Sequence, residues 1–263
     1  MTETGEEKRD LDPVDVYLVL IGDLPPERLE AYVGLLDQGE RERHDRFRVK
    51  GAREEFLVGR ALLRTSLSRL RPDIAPSAWR FAPNIYGRPA IDWPATAASP
   101  SKLFFNLSHT RGLVALATGT TEQIGVDVEA IARGAPDHDV ARRFFTSEEA
   151  DWIAAGSDES ERTERFFALW TLKEAYIKAR GMGLSLPLDG FFFDCSQNPP
   201  PVSFNDKIDD SPHRWRFERR RIGPAHRLAL ARPSGSPSCR FHVAEPLGSS
   251  PRAITPAIAD AFS

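Results

Sequence analysis

From Gly125 to Glu129 the chain alternates apolar and acidic positions, Gly125-Val126-Asp127-Val128-Glu129. Successive strand side chains leave opposite faces, so this pattern predicts a strand with Val126 and Val128 in a core and Asp127 and Glu129 together on the other side. Apolar runs of strand length also lie at 14–21, 79–82, 103–107, 113–117, 191–194, 214–221 and 227–231. Helical spacing governs much of the rest. Pro25 and Pro26 open a helical stretch toward Leu36, and Phe47, Phe56, Leu57, Ala61, Leu62 and Leu67 place an apolar face within the charged segment from Gln38 to Leu70. Thr146 and Glu149 have capping-box spacing for a helix start. A further helix should run from about Glu159 to Arg180, with Phe166, Leu169, Trp170 and Ile177 inward and Gly181 and Gly183 as its stop.

The turn at 119–123 divides these elements into two α/β halves, residues 13–122 and 123–245. Residues 1–12 read as a disordered N-terminus and 246–263 as a tail. The polar stretch with Gly134, Pro136 and Asp137, the prolines 199–201 and the Pro/Ser-rich region after Pro233 read as loops or loose chain. There is no sequence repeat. The length, 263 residues, suffices for one large domain or two modest ones.

Composition narrows the partners. A formal net charge of −3 argues against bulk attraction to nucleic acid. No apolar run reaches the ~20 residues that cross a bilayer. Residues 1–12 lack the apolar core of a secretory signal. Cys195 and Cys239 have no metal-ligand spacing, which fits two idle thiols in a reducing compartment. A cytoplasmic protein is expected, and a monomer, since one set of motifs spans both halves.

The chemistry starts from Glu174 and Lys178, four residues apart and therefore on one helix face. Such a pair alone is usually a solvated surface salt bridge. A second acidic element changes that weighting. Asp127 and Glu129 on one strand face repel each other unless a cation or basic group lies between them. With Glu174 they offer three oxygen donors, a set suited to Mg²⁺, which keeps waters and shares its shell with substrate phosphates.

Gly125-Val126-Asp127-Val128-Glu129, Phe144-Phe145-Thr146-Ser147-Glu148-Glu149 and Trp170-x-x-Lys173-Glu174-Ala175-x-x-Lys178, in this order, resemble the 4′-phosphopantetheinyl transferases of the surfactin-synthetase-activating (Sfp) type. The resemblance continues through residues 181–188 and, upstream, through Tyr86-Gly87-Arg88-Pro89 and Phe105-Asn106-Leu107-Ser108-His109. It implies two similar α/β halves related by a pseudo-twofold, with the active site between them. The reaction implied is Mg²⁺-dependent transfer of the phosphopantetheine arm of coenzyme A to a serine of an apo-acyl or peptidyl carrier protein, releasing 3′,5′-ADP. By resemblance Asp127, Glu129 and Glu174 hold the metal and Lys178 neutralises phosphate or protonates the leaving group. Arg43, Arg88, Ser108 and His109 then contact coenzyme A, which assigns coenzyme A to the N-terminal half and the metal, catalysis and carrier docking to the C-terminal half.

Two roles stay open at this level. Glu174 could take the serine proton directly or through a water, and Glu149 could be a site glutamate or a helix cap. Glu40 stands where some members carry a lysine, and Phe56 where a small hydroxyl residue lies near the adenine site. The mixed apolar and basic segment from Ile131 through Arg142-Arg143-Phe144 is the expected carrier-docking surface, with the basic strand Arg214 to Arg221 as its rival. Other readings of the carboxylates are a Mg²⁺-dependent phosphodiesterase or pyrophosphatase and a non-catalytic carrier-binding protein.

Overall fold

A computed structural model describes residues 13–93, 102–134, 138–236, 238–248 and 250–254. The expected disordered N-terminus, part of the 134–137 loop and most of the tail lie outside the described residues. The N-terminal half contains β1 (Val14–Leu20), α1 (Pro26–Val33), α2 (Gln38–Arg46), α3 (Lys50–Leu70), β2 (Arg80–Pro83), β3 (Pro89–Asp92), β4 (Phe104–Thr110) and β5 (Leu113–Gly119). The C-terminal half continues with β6 (Gly125–Ala130), α4 (His138–Phe144), α5 (Ser147–Ala154), α6 (Glu159–Arg180), β7 (Phe191–Phe193), β8 (Val202–Phe204), β9 (Trp215–Ile222) and β10 (His226–Pro233). Two short strands end the described chain, β11 (Cys239–Val243) and β12 (Arg252–Ala253). Among the described residues no helix is long and apolar enough to cross a membrane.

Two α/β halves result, each a long helix laid on a sheet. One sheet has the order β12-β11-β1-β5-β4 and the other β6-β10-β9. Leu57, Val58, Ala61 and Leu62 of α3 pack on Val114 and Leu116 of β5. Phe166, Leu169, Leu172 and Tyr176 of α6 pack with Phe217, Ala229 and Ala231 of β9 and β10. Val126 and Val128 enter a third cluster with Val14, Val16 and Leu230, so the alternation along β6 places its valines between the two sheets.

Local departures from expectation have local causes. The charged segment is two helices, because Asp37 caps α2 through a capping box with Glu40 and Phe47 turns extended to meet Phe56 at 5.4 Å. The stretch after Pro233 is not a loose tail. β11 runs parallel to β1, with Val14 opposite Cys239 and Leu18 opposite Val243, so residues 239–243 belong to the N-terminal sheet. Asp15 anchors that return by accepting from Arg240 at 2.6 and 2.8 Å and bonding His242 at 2.7 Å.

β4 and β6 are edge strands of different sheets, joined by side chains. Asn106 Oδ1, Ser108 Oγ and Thr110 Oγ1 accept from the amides of Val126, Val128 and Ala130 at 2.8, 3.3 and 3.1 Å. The period of two on both strands makes this a ladder in which short polar side chains replace backbone carbonyls. On the other side α6 approaches β6 backbone to backbone at Gly125, where a Cβ would stand 2.0 Å from the Ala175 carbonyl oxygen. Gly125→Ala should therefore cost at least ~2 kcal/mol and lower the melting temperature by about 5 °C or more, since neither backbone can yield cheaply. An unchanged melting temperature would remove this close approach as a constraint.

Candidate active site

The ladder sets Ser108, from the N-terminal half, beside Asp127 and Lys178 from the C-terminal half. Ser108 donates to Asp127 Oδ1 at 3.0 Å and accepts from Lys178 Nζ at 2.9 Å and from the Val128 amide. A hydroxyl has one donor and two acceptor sites, and all three are used. Lys178 Nζ also donates to Asp127 Oδ1 at 2.6 Å and to the Val126 carbonyl at 3.3 Å. The i,i+4 spacing to Glu174 thus does not describe the principal contact of Lys178, whose ammonium is turned to the strand. Asp127 is 4% exposed, and its Oδ2 is buried without a hydrogen-bond partner among the described residues.

Glu174 and Glu129 complete the acidic side of the site. Burial pushes the Glu174 carboxyl up to about 7; the Asp127 charge raises it further, Lys178 opposes the rise, and Glu129 adds to it. The three carboxylates therefore sense one another across the α6–β6 contact. They do not form a closed ligand set: among the described residues no three acidic, histidine or cysteine side chains stand close enough to hold an ion unaided. Trp170 Nε1 donates to Glu129 Oε1 at 3.1 Å. Its ring is stacked on Phe166, which fixes the direction of that donor. The period of Trp170, Glu174 and Lys178 along α6, four residues each, puts the three on one helix face.

The expected coenzyme A contacts separate into three places. Ser108 and His109 are neighbours on β4 and so point to opposite faces. Ser108 is buried in the network above, whereas His109 is exposed and bonds Glu55 of α3 at 3.3 Å. Arg43 is exposed at the end of α2, with its guanidinium 5.0 Å from the Phe56 ring centre. Phe56 follows Glu55 on α3, so Arg43 and His109 border one surface.

Arg88 departs from the expected phosphate contact. Its terminal nitrogens donate to the carbonyls of Lys178 and Ala179 at the end of α6, and of Phe105, Glu122 and Ile124. The last turn of α6 leaves orphan carbonyls, and Arg88 satisfies two of them from the other half. Asn84 assists by donating to the Gly181 carbonyl at 3.1 Å. Arg88 is thus a tie between β4, the inter-half linker and the turn that carries Lys178.

Two charged residues of the motifs prove to be internal supports. Glu149 closes the capping box with Thr146, accepts from the Phe193 amide at 3.0 Å and pairs with Lys173 at 2.8 Å. Lys173, 0% exposed, also donates to the Leu188 and Phe191 carbonyls, and burial pushes its pKa down. Sequence reasoning places Lys173 in the Trp170-x-x-Lys173-Glu174 motif without a role; the signal for its burial is position, between Leu172 and Ala175 on α6. Glu40, at the place of a family lysine, is a buried cap bonded by Arg64 at 2.7 and 2.9 Å.

A raised carboxyl pKa has a definite consequence for stability. The folded protein binds the Glu174 proton more tightly than the unfolded chain, so this contribution is full below about 4.5 and is lost as pH rises through about 7. In metal-free buffer Glu174→Gln should stabilise the protein at pH 8 by on the order of 2 kcal/mol, with the gain vanishing toward pH 5. Paired urea melts of parent and variant across this range measure it; a constant difference would show that Glu174 titrates normally.

Sequence comparison supports the assembly of these residues from both halves. The profile of the 4′-phosphopantetheinyl transferase superfamily matches residues 123–231. A second profile, 4′-phosphopantetheinyl transferase, N-terminal, matches residues 25–121. The 4′-phosphopantetheinyl transferase Sfp of Bacillus subtilis (strain 168) is 31% identical over 208 residues, covering 79% of this chain and 86% of the relative. HetI of Nostoc sp., also a 4′-phosphopantetheinyl transferase, is 32% identical over 62% of this chain and 67% of its own. The mouse L-aminoadipate-semialdehyde dehydrogenase-phosphopantetheinyl transferase is 27% identical over 80% of this chain and 72% of its own. Adjoining matches to both halves, with the Asp127, Glu174 and Lys178 elements inside the second, establish that the chain belongs to the 4′-phosphopantetheinyl transferase superfamily.

Proposed function

We propose that this enzyme, a phosphopantetheinyl transferase that moves the 4′-phosphopantetheine arm of coenzyme A to a serine of an apo-carrier protein, does so at the Ser108–Asp127–Lys178 network. The observation that carries this placement is the junction itself: a serine from one half joins a carboxylate and an ammonium from the other. Asp127, Glu129 and Glu174 would hold Mg²⁺. The buried Oδ2 of Asp127, without a hydrogen-bond partner among the described residues, fits a cation at this place, as does the Glu174 carboxyl, raised by burial and then by the Asp127 charge. When bound, Mg²⁺ would withdraw negative charge from the pyrophosphate.

The chain's own groups divide the remaining work. Lys178 carries a positive charge on three donors that can be exchanged from Ser108 and Asp127 to phosphate oxygens, where it neutralises the departing 3′,5′-ADP. Glu174, on the same helix face as Lys178, would take the serine proton directly or through a water. His109 and Arg43 bind coenzyme A through its phosphates from the N-terminal half. Arg88 fixes the end of α6 and so the position of Lys178. Two unpaired thiols, with Cys195 buried and pushed up to about 12, suit a reducing cytoplasm, and both halves in one chain suit a monomer.

Incubation with coenzyme A, Mg²⁺ and an apo-carrier, read as the mass gained by the carrier, tests the reading directly. Asp127→Ala and Glu174→Ala should each lose at least ~100-fold in turnover while remaining folded. Lys178→Ala should depress kcat more than it raises KM for coenzyme A, as expected for a charge used mainly in the transition state. His109→Ala should do the reverse, raising KM for coenzyme A but adding little to the poor use of dephospho-coenzyme A. Near-parent activity of Asp127→Ala at saturating Mg²⁺ would remove Asp127 from the metal site.

A further inference from the structure

Alternation along β9 and β10 turns their odd-numbered residues toward α6 and their even-numbered ones toward the N-terminal sheet, where Ile222, Leu228 and Leu230 join the third apolar cluster. Toward the far end of that second face, charge replaces apolar surface. Arg216 of β9 stands directly opposite Arg232 of β10, and Glu218 and Arg220 follow Arg216 on the same side. Like charges placed directly opposite each other are destabilising. Glu218 relieves only one of the pair: it accepts from Arg232 at 3.2 Å and from the Cys239 thiol at 2.7 Å, and stands 3.6 Å from Arg220. Arg216 is exposed and forms neither a hydrogen bond nor an ion pair with the described residues.

These side chains border a pocket of about 600 Å³ along the free edge of β9. Arg216, Arg219, Arg220 and Arg232 line it against one acid, Glu218, a surplus of three positive charges in a chain whose net charge is −3. Its wall also carries polar atoms that nothing satisfies. Ser236, in the turn after β10, lines the pocket and is 5% exposed. Neither its Oγ nor Arg232 Nε has a hydrogen-bond partner among the described residues. Arg232 Nη1 donates to the Ser236 carbonyl at 2.7 Å, which holds the two residues side by side. Buried donors left unmatched are costly, and both of these can donate to an oxyanion.

We propose that this pocket binds a phosphate group, as the free ion or as the monoester of a small molecule, through Arg216, Arg232 and Ser236. Phosphate carries up to two charges on three acceptor oxygens, which answers the opposed arginines and the hydroxyl together; a planar carboxylate has two. The volume leaves room for the organic part of an ester beside Pro199. Arg220 is less suited as a donor, since its guanidinium lies 4.2 Å from the Phe241 ring centre and beside Glu218. The site is separate from the carboxylates and Lys178, because α6 covers the other face of this sheet. Ser236 leads into β11, which pairs with β1. A bound phosphate therefore ties the outer edge of the C-terminal sheet to the segment that returns to the N-terminal one.

The test uses the full chain, with inorganic phosphate and glycerol phosphate as probes at constant ionic strength. In phosphate-free buffer Arg216→Gln should melt at or slightly above the parent, because a repulsion is removed. Phosphate should reverse that order. The parent should gain about 3 °C at roughly ten times the dissociation constant. Arg216→Gln, alone or with Ser236→Ala, should gain only what phosphate gives any protein by exclusion from its surface. Calorimetry should show saturable binding to the parent, weakened about tenfold or more in Arg216→Gln. Tighter binding of glycerol phosphate identifies an ester as the ligand, and tighter binding of inorganic phosphate the free ion. If the double variant fails to melt cooperatively, Arg216→Gln, a single exposed change, carries the test. Equal gains in parent and Arg216→Gln overturn the site. A phosphate effect lost in His109→Ala instead overturns it also, by moving the binding to the coenzyme A surface.

Discussion

The ladder between β4 and β6 is the constraint on which the rest of the molecule depends. Two sheets end in edge strands that face each other, and edge amides buried without partners would be costly. Asn106, Ser108 and Thr110 supply those partners with side-chain oxygens. Because the hydroxyl of Ser108 retains a hydrogen after accepting, it can also donate to Asp127, which a backbone carbonyl could not do. Joining the halves and orienting the site carboxylate are thus one arrangement of atoms. The close pass at Gly125 and the Arg88 tie then fix α6 against the joined strands from two further directions.

Charge in this site is arranged in tension. Asp127 is paired with Lys178 through one oxygen and left with a second, buried oxygen that has no hydrogen-bond partner among the described residues, while burial first, and the Asp127 charge second, push the Glu174 carboxyl up to about 7. Contrast Glu149 of α5 and Lys173, the residue before Glu174, a pair that is fully satisfied: its oxygens and ammonium hydrogens find a cap, an amide, carbonyls and each other. Neighbouring motif residues therefore belong to a relaxed ion pair that supports the fold and to a set of carboxylates that is not fully satisfied. Adjacent residues Lys173 and Glu174 fall on different helix faces, which is why one motif can hold both.

Local pattern made much of this visible. Alternation at β6, the capping signals of α5 and the bounds of α6 are properties of short segments, and the structure follows them. What sequence did not show was pairing over long distance. β11 reads as loose chain because its alternation, Cys239-Arg240-Phe241-His242-Val243, is only five residues long and follows a Pro/Ser-rich stretch; β1, more than 200 residues earlier, gives it a ladder. The contacts that Arg88 and Ser108 make within the fold are illegible for a related reason. An arginine and a serine near a phosphate motif suggest a ligand, but carbonyls at the end of a distant helix and amides of a distant strand compete for the same donors and acceptors. Lys173 and Glu149 illustrate the converse, charged residues whose partners all lie inside.

The return of β11 also bears on how rigid the site can be. The C-terminal half leaves the N-terminal sheet through the linker at Glu122–Ile124, held by Arg88, and comes back at Ser238, whose carbonyl accepts from the Val14 amide. Topologically it is an insertion between β5 and β11 of one sheet. A half tethered at both ends cannot swing away from its partner without breaking the Asp15 contacts with Arg240 and His242 or the Arg88 bonds. Adjustment on binding substrate must then fall to side chains, and Lys178 is the one that reaches from α6 across the junction to Ser108. The chain thus leaves adjustment to the Lys178 ammonium and withholds it from the strands that hold Ser108 and Asp127 in place.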